Sequence, residues 1–527
     1  MSDSSSTLAN RGGLLLQIMV LIVVTAAVLG FQTHTGVWTS DIGADPDEPA
    51  HAVTSLMVRD YVAEGLGGSP LVFAQRYYDT FPKVALGHYP PSYYALTALF
   101  LLPWPHPEVF FGLQALLCGV LAMQVVRMAS RLGMSPMASV CAALITISLP
   151  ITLKLSQLVM ADLLLACLCL LAVEFWSRYS EKPRVSMALL FGLTSAAAIL
   201  TKGSGMALAL VPAVSLVGLW RWDWLKKPSF WLAGLPVAVI AGPWMLYSSK
   251  ITKEGMVDTP LVKYILDGLS FYATSLGASM SYPIVVLAIL GGALWLSRRS
   301  TQAARCTALL GLVLGTVSIM LLVPAGYSTR YFMPLLPVVA LMAVWPLDQW
   351  LPRASWRVGA SFALVVIVWL HYPWFAIPDK NVAGYRQAVE EALHERGGDS
   401  PEQWLVSGDP RGEGAVIATT AFVLPHRVPS PVRVHRASKE LAATDWLGRG
   451  YKAAFTTPDE VLGYLDQSRI TCVFVDQLPK DHAHWPHEEV LLEALQKSDR
   501  WKLVHEGPAT RPYQNEANTL KVFRLQR

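Results

Sequence analysis

Charge is scarce in this chain. Only 15% of its 527 residues are Asp, Glu, Lys or Arg, against about 25% in soluble proteins, while 53% are hydrophobic. That balance excludes an ordinary soluble domain and points to a mostly α, polytopic membrane protein surrounded by membrane lipids. The formal net charge of +4 would suit a nucleic-acid partner, but the basic residues fall in short clusters between apolar runs, which is the pattern of membrane topology. No nucleic-acid partner is expected. Cysteine is sparse too: Cys118, Cys141, Cys167, Cys169 and Cys306 lie in apolar runs, and Cys472 stands alone in the polar C-terminal third. An internal disulfide there is excluded, and no zinc-type spacing appears. Internal repeats, common in secondary transporters, are not seen. The Gly408-to-Gly414 stretch lacks the dinucleotide spacing and the Lys-Ser/Thr ending of a phosphate loop, so it reads as a tight strand-to-helix turn.

What the chain has in quantity is long apolar runs. The first, Leu14 to Phe31, follows Arg11 and a Ser-rich start and precedes no small-residue cleavage site, so it reads as a retained signal anchor. Further runs begin near Val109, Met137, Leu158, Val185, Met206, Phe230, Tyr282, Cys306, Tyr331 and Val358, about eleven spans on the usual criterion of ~20 residues. Arg127 and Arg131, then Arg178, Lys182 and Arg184, then Arg221, Lys226 and Lys227, then Arg298, Arg299 and Arg305, then Arg353 and Arg357 occupy alternate loops, on the side of Arg11. The positive-inside rule then puts the N-terminus in the cytoplasm and the C-terminus outside it. The first outer loop, Ser156 to Asp162, Thr201 to Gly205, Lys250 to Ser281 and Pro324 to Arg330 share the outer face. In that first loop Glu48 to Glu64 and Tyr77 to Pro82 are too polar to span yet carry apolar positions at helical spacing, which suits helices lying on the membrane surface. The expected division is a cytoplasmic tail (1–10), a transmembrane catalytic domain (11–377) and an extracytoplasmic α/β domain (378–527). In the last, Ala383–His394, Pro458–Gln467 and Glu488–Lys497 read as helices, and Trp404–Ser407, Ile470–Val475, Trp501–His505 and Leu520–Leu525 as strands.

Ionisable groups gather at outer ends of spans: Asp47, Glu48, His51, His88, Asp162, Lys202 and Arg330. Each has a plain structural explanation. Asp162 would cap a helix; Lys202 and Arg330 would snorkel. Against that, basic residues are disfavoured on the outer side by the same rule that fixes the topology, so they ask for an anionic partner such as a lipid phosphate. A carboxylate there could take a proton from an acceptor hydroxyl while Lys and Arg neutralise a departing phosphate.

Five stretches carry a resemblance: Asp47-Glu48-Pro49-Ala50-His51, His88-Tyr89-Pro90-Pro91-Ser92-Tyr93-Tyr94, Met160-Ala161-Asp162, Leu200-Thr201-Lys202-Gly203 and Arg330-Tyr331-Phe332-Met333-Pro334. In order and on one face they resemble the GT-C glycosyltransferases, most closely the branch of protein O-mannosyltransferases and lipid A aminoarabinose transferases. The likeness covers roughly residues 10–370, with the C-terminal domain alike in placement only. It implies a GT-C-like bundle that moves a sugar, with inversion, from a polyprenyl-phosphate donor to a lipid, glycan or protein acceptor on the extracytoplasmic face of a bacterial inner or plasma membrane. Asp47 then corresponds to the catalytic base, with Glu48 beside it, and Asp162 to the second acid. His51, His88, Tyr89, Tyr93, Lys202, Arg330 and Tyr331 fall at substrate-binding positions, the last three near the donor phosphate. Relatives often carry a basic residue or His directly before the proline pair; here Tyr89 holds that place and His88 precedes it. Relatives also differ in whether a divalent cation sits near the acids, which leaves a metal held by Asp47 and Asp162 open. Two other classes compete. A lipid-linked-sugar transporter or flippase would set its charges near mid-bilayer within broken helices. A membrane-anchored binding protein would rely on its exported α/β domain alone.

Overall fold

The computed structural model describes the chain apart from residues 1, 298–301, 373–376, 397–399, 425–429, 445–448, 480–481, 483–484, 513, 515 and 527, and apart from the side chains of 2–11 and 296–297. The series of apolar runs becomes a helical bundle: α1 (Ser2–His34), α2 (Asp47–Ala63), α3 (Pro70–Thr80), α4 (Ser92–Leu101), α5 (Glu108–Arg131), α6 (Pro136–Ser148), α7 (Pro150–Ser156), α8 (Asp162–Glu181) and α9 (Val185–Ile199). It continues through α10 (Leu210–Gly218), α11 (Pro228–Leu232), α12 (Gly242–Glu254), α13 (Leu261–Met280), α14 (Tyr282–Ser297), α15 (Ala303–Leu322), α16 (Leu336–Trp350) and α17 (Ala354–His371). Among the described residues six segments are long and apolar enough to cross a membrane, or up to eight if each of two bent pairs counts as one span. Three shorter apolar helices, Ser92–Leu101, Val185–Ile199 and Gly203–Gly218, stand beside them. The runs anticipated near Val109, Val185, Tyr282, Cys306 and Val358 each fall in one helix, whereas those near Met206 and Phe230 are divided among shorter helical pieces. Close approach is built in by glycine: a Cβ on Gly119 would lie 2.7 Å from the Leu21 carbonyl oxygen, so α5 can lie directly against α1.

The arginine-bearing loops gather at one end of the bundle. Glu174 is ion-paired to Arg127, Arg131 and Arg178, and Glu181 to Arg131 and Arg305. Asp348, at the end of α16, accepts from the backbone N–H and hydroxyl of Ser135 at the start of α6. These contacts join four loops that the charge pattern puts on one side. Arg298 and Arg299 lie outside the described residues, as does the Arg11 side chain.

Three expectations need correction, and one gains detail. Lys250 to Ser281 is not a loop: most of it is α13, bent 107° from the apolar helix that follows, so α13 runs across the direction of that span. The polar start is helical and continuous with the first span, since α1 runs from Ser2 while the apolar stretch begins at Gly12. The second surface helix is α3, which begins at Pro70 and not at Tyr77. And α2 does not float on a lipid surface: Glu48 through Met57 are all buried, because α4 packs along one side and the C-terminal domain covers another.

That domain contains α18 (Tyr385–His394), β1 (Glu402–Ser407), α19 (Pro410–Val423), β2 (Val432–Arg436), α20 (Ala437–Glu440), β3 (Ala442–Ala443), β4 (Lys452–Ala453), α21 (Pro458–Gln467), β5 (Ile470–Gln477), α22 (Pro486–Lys497), β6 (Trp501–Ala509) and β7 (Asn518–Leu525). Its sheet has the order β2-β1-β5-β7-β6, parallel across the first three strands and antiparallel across the rest. The stretch from Gly408 is the turn from β1 into α19, where Asp409 accepts from the N–H groups of Arg411 and Gly412. An N-terminal cap of this kind fills the position a phosphate would need. All six cysteines are free and buried. The domain is tied to the bundle at the first loop. The Asp41 carboxylate accepts from the N–H groups of Tyr385 and Arg386, and the Asp41 N–H donates to the Val382 carbonyl.

Candidate active site

The loop that enters α2 is wound around Glu48. Its carboxylate accepts from the N–H groups of Gly43 (3.0 Å) and Ala44 (2.9 Å) on one oxygen, and from Val159 N–H (3.2 Å) and the Lys380 ammonium on the other. The side chain has no exposed surface. Gly43 sits at φ +151°, where an added Cβ would lie 2.8 Å from Ala415, so only glycine lets the loop pass beneath α19. Successive residues on a helix point about 100° apart. With Glu48 turned inward, its neighbour Asp47 is turned toward the bundle mouth.

There Asp47 Oδ2 accepts from the Tyr89 hydroxyl at 2.8 Å and from Arg330 Nη2 at 2.7 Å. The two donors come from distant places. Tyr89 precedes the Pro90-Pro91 pair that starts α4, and Arg330 lies in a short 3₁₀ turn, Thr329–Phe332, before α16. A second pair lies alongside: Lys202 Nζ, just past α9, donates to Asp162 Oδ1 at 2.6 Å in the first turn of α8. Lys202 and Asp162 are both buried. Tyr331 links the pairs, its ring centre 5.2 Å from Lys202 Nζ and 6.0 Å from the Arg330 guanidinium carbon. Arg330 also touches the Met160 sulfur, while its Nε is buried with no hydrogen-bond partner among the described residues. The backbone brings the motifs together as well, since the Ser92 N–H donates to the Leu200 carbonyl at 2.8 Å.

Electrostatics separate the groups. Burial alone would raise the Asp47 carboxyl, but the Arg330 guanidinium, with His51 and the Tyr89 hydroxyl, holds it down at about 2. Burial pushes the His51 imidazole down to about 4, against the pull of Asp47. At neutral pH the site therefore offers an ionised carboxylate and a neutral imidazole. His51 Nδ1 lies 3.0 Å from the Tyr94 hydroxyl, and its ring packs among Tyr89, Tyr93 and Tyr94. His51 and Tyr93 thus build the wall behind Asp47. His88 is half-buried, and burial lowers its imidazole against the opposing charges of Glu254 and Asp47. Asp47 and Asp162, the carboxylates named for a possible metal, each face a side-chain cation, Arg330 and Lys202. Among the described residues no group of three His, Cys, Asp or Glu side chains is placed to share an ion.

Sequence reasoning brought Asp47, Tyr89, Asp162, Lys202, Arg330 and Tyr331 to one place, and the structure brings them together. It missed Lys380, whose ammonium closes the Glu48 network and lies 4.1 Å from the Phe111 ring centre. A single Lys just past the last apolar run carries no signal of such a role. Tyr94 and Met160 stood inside the quoted motifs but were not singled out.

The fold matches that of ArnT from Cupriavidus metallidurans. In the apo state the two superpose with a TM-score of 0.60 at 13% identity, over 97% of this chain and 98% of that one. With ArnT bound to undecaprenyl phosphate the TM-score is 0.57 at the same identity and coverage. The profile of the PMT family, dolichyl-phosphate-mannose-protein mannosyltransferase, matches residues 79–252. The chain resembles the GT-C glycosyltransferases. No curated protein matches it by sequence. The PMT match takes in Tyr89, Asp162 and Lys202 but stops short of Asp47 and Arg330, whereas the GT-C-like fold runs on through the C-terminal domain.

Proposed function

We propose that the protein is an integral membrane glycosyltransferase that moves a sugar from a polyprenyl-phosphate donor to an acceptor hydroxyl, with inversion, on the extracytoplasmic face. The observation that carries this reading is the Asp47–Arg330 pair. Tyr89 and Arg330 both hold Oδ2, which leaves Oδ1 for a hydroxyl, while Arg330 keeps a buried Nε in want of an acceptor. Its neighbour Lys202 supplies a second cation at the same depth. A donor phosphate seated there would receive charge-assisted hydrogen bonds from both. Asp47 takes the acceptor proton, the acceptor oxygen bonds to the anomeric carbon from the opposite side, and the bond from that carbon to the phosphate oxygen breaks. The electron pair leaves with the polyprenyl phosphate, whose charge Arg330 and Lys202 stabilise. As the phosphate draws on Arg330, Asp47 loses part of the interaction that depresses its basicity, so donor binding readies the base.

Glu48, saturated by four donors, is assigned to holding the loop and not to proton transfer. Two groupings support the orientation: arginines collect at one end of the bundle and the Asp47 cluster at the other, so the positive-inside rule turns Asp47 outward. The test is turnover by purified protein: it should use a polyprenyl-phosphate sugar and ignore a nucleotide sugar, which is made on the cytoplasmic side. Transfer from the nucleotide sugar alone would overturn the phosphate assignment.

A further inference from the structure

A cavity of about 350 Å³ lies between the start of α2 and the C-terminal domain. Asp47 and Lys83 form part of one wall; Lys439, Tyr451, Trp485 and His487, all from the C-terminal domain, form part of the other. Volumes of this size, some 300–1,000 Å³, are those of small-molecule pockets. The three rings lie within 36° of parallel, Tyr451 to Trp485 at 5.1 Å and to His487 at 5.8 Å between centres. Their order is fixed by the Tyr451 hydroxyl, which accepts from the His487 backbone N–H at 3.1 Å and lies 3.2 Å from its Nδ1. The other ring nitrogen, Nε2, is buried without a hydrogen-bond partner among the described residues, on a side chain only 3% exposed. A polar atom in that condition is costly unless a ligand completes it.

We propose that this cavity is the acceptor subsite and that it takes a saccharide, one ring lying against Tyr451 and Trp485 with a hydroxyl hydrogen-bonded to His487 Nε2. The inference rests on the reading of Asp47 as the base. A pyranose suits the lining because its C–H face is apolar and its rim carries hydroxyls, which matches aromatic faces bordered by His487, Lys83 and Lys439. The lining also holds Asp47, Ser438 and Thr444, so hydroxyls around a sugar rim would find both donors and acceptors beside the aromatic faces. The C-terminal domain would then select the acceptor, while the bundle binds the donor.

The test uses the full chain in nanodiscs without donor, probed by saturation-transfer NMR with a panel of neutral and acidic pyranose mono- and disaccharides and a Ser/Thr-containing peptide. Saccharides should show transfer, and Trp485→Ala should weaken it about tenfold, the size of one lost aromatic contact. Trp485→Phe should restore part of the loss, and His487→Gln should weaken binding in a protein that elutes and melts like the parent. Glu493→Ala, on an exposed part of α22, is the control that changes nothing. No saccharide binding, binding indifferent to both Trp485 and His487 variants, or peptide binding in place of saccharide would each overturn the subsite. Turnover is scored separately. Saccharide binding that depends on Trp485 in a protein that never turns over a lipid-linked sugar would leave the subsite standing and remove the reading of Asp47.

Discussion

Replacing Asp47 with Asn separates charge from shape. The carboxyl is held at about 2, so at any working pH the change removes a full negative charge, not a fraction of one. The amide oxygen can still accept from Tyr89 and Arg330, at 2.8 and 2.7 Å in the parent, so the fold should survive. The loss of the ion pair is another matter. Fully buried pairs lose about 3–5 kcal/mol when one partner goes. Here the side chains are 21% and 23% exposed, and solvent screening brings the expected loss down to about 1–3 kcal/mol. The sign with pH follows from the depressed value. Unfolded Asp titrates near 3.9, so the pair contributes stability above about pH 4 and loses it as pH falls toward about 2; parent and variant should differ at neutral pH and converge in acid. The effect on rate is larger, a fall of about 10²–10⁴-fold when a general base is lost. Single-turnover transfer from polyprenyl-phosphate sugar, with thermal unfolding followed in parallel, measures both. Near-normal turnover in Asp47→Asn, with Glu48→Gln inactive though folded, would show that the base is the other carboxylate.

Glu48→Gln should instead act on the fold, because Lys380 is left charged and buried; the expected loss is about 3–5 kcal/mol, read as a lowered unfolding midpoint with turnover per folded molecule falling less than in Asp47→Asn. Arg330→Lys keeps the charge but gives up the planar fork that can hold two phosphate oxygens, so the donor concentration needed for half-maximal rate should rise, and an unchanged donor dependence would refute the phosphate role. Because His51 is held down to about 4 by burial, the unfolded chain binds more protons than the folded one between about pH 6.5 and 4. Stability should therefore fall as the pH is lowered through that window, by up to about 1.4 kcal/mol per unit, and His51→Asn should flatten the slope. Reporter fusions after Arg221 and after Pro378 should report opposite sides of the membrane; both in the cytoplasm would undo the common outer face.

Much of this architecture was legible because the determinants are local. Apolar runs mark helices whatever surrounds them, and Thr457 with Glu460 forms the capping box that starts α21 at the predicted residue. The Asp47 cluster was legible for another reason: cations on a face where topology disfavours them need anionic partners, and Arg330 and Lys202 found Asp47 and Asp162. What stayed hidden depends on tertiary cover. The polar face of α2 reads as a solvated helix because its cover, α19, lies more than three hundred residues away. Likewise α13 reads as a loop because Lys263, Asp267 and several Ser and Gly interrupt an otherwise apolar stretch.

Adjacent acids show the limit most sharply. Asp47 and Glu48 share a motif, a helix turn and a resemblance, yet the first faces Arg330 with one oxygen uncommitted to Tyr89 or Arg330, while the second is enclosed by Gly43, Ala44, Val159 and Lys380. No local propensity distinguishes them; the rotation of one helical position does, once the helix is fixed. That rotation is fixed by Glu48 itself, since turning α2 to free it would strand a buried carboxylate and a buried ammonium together. The structural acid thereby aims the chemical one. The same dependence explains why the C-terminal domain belongs to the site: Lys380 enters from its edge, so a chain truncated before Lys380 should insert but fail to hold Asp47 against Arg330. Addition of the separate C-terminal domain should not restore turnover to Lys380→Met, because the missing ammonium lies under the loop and not on the domain surface. Full activity in Lys380→Met would show that Asp47 is aimed by something other than Glu48.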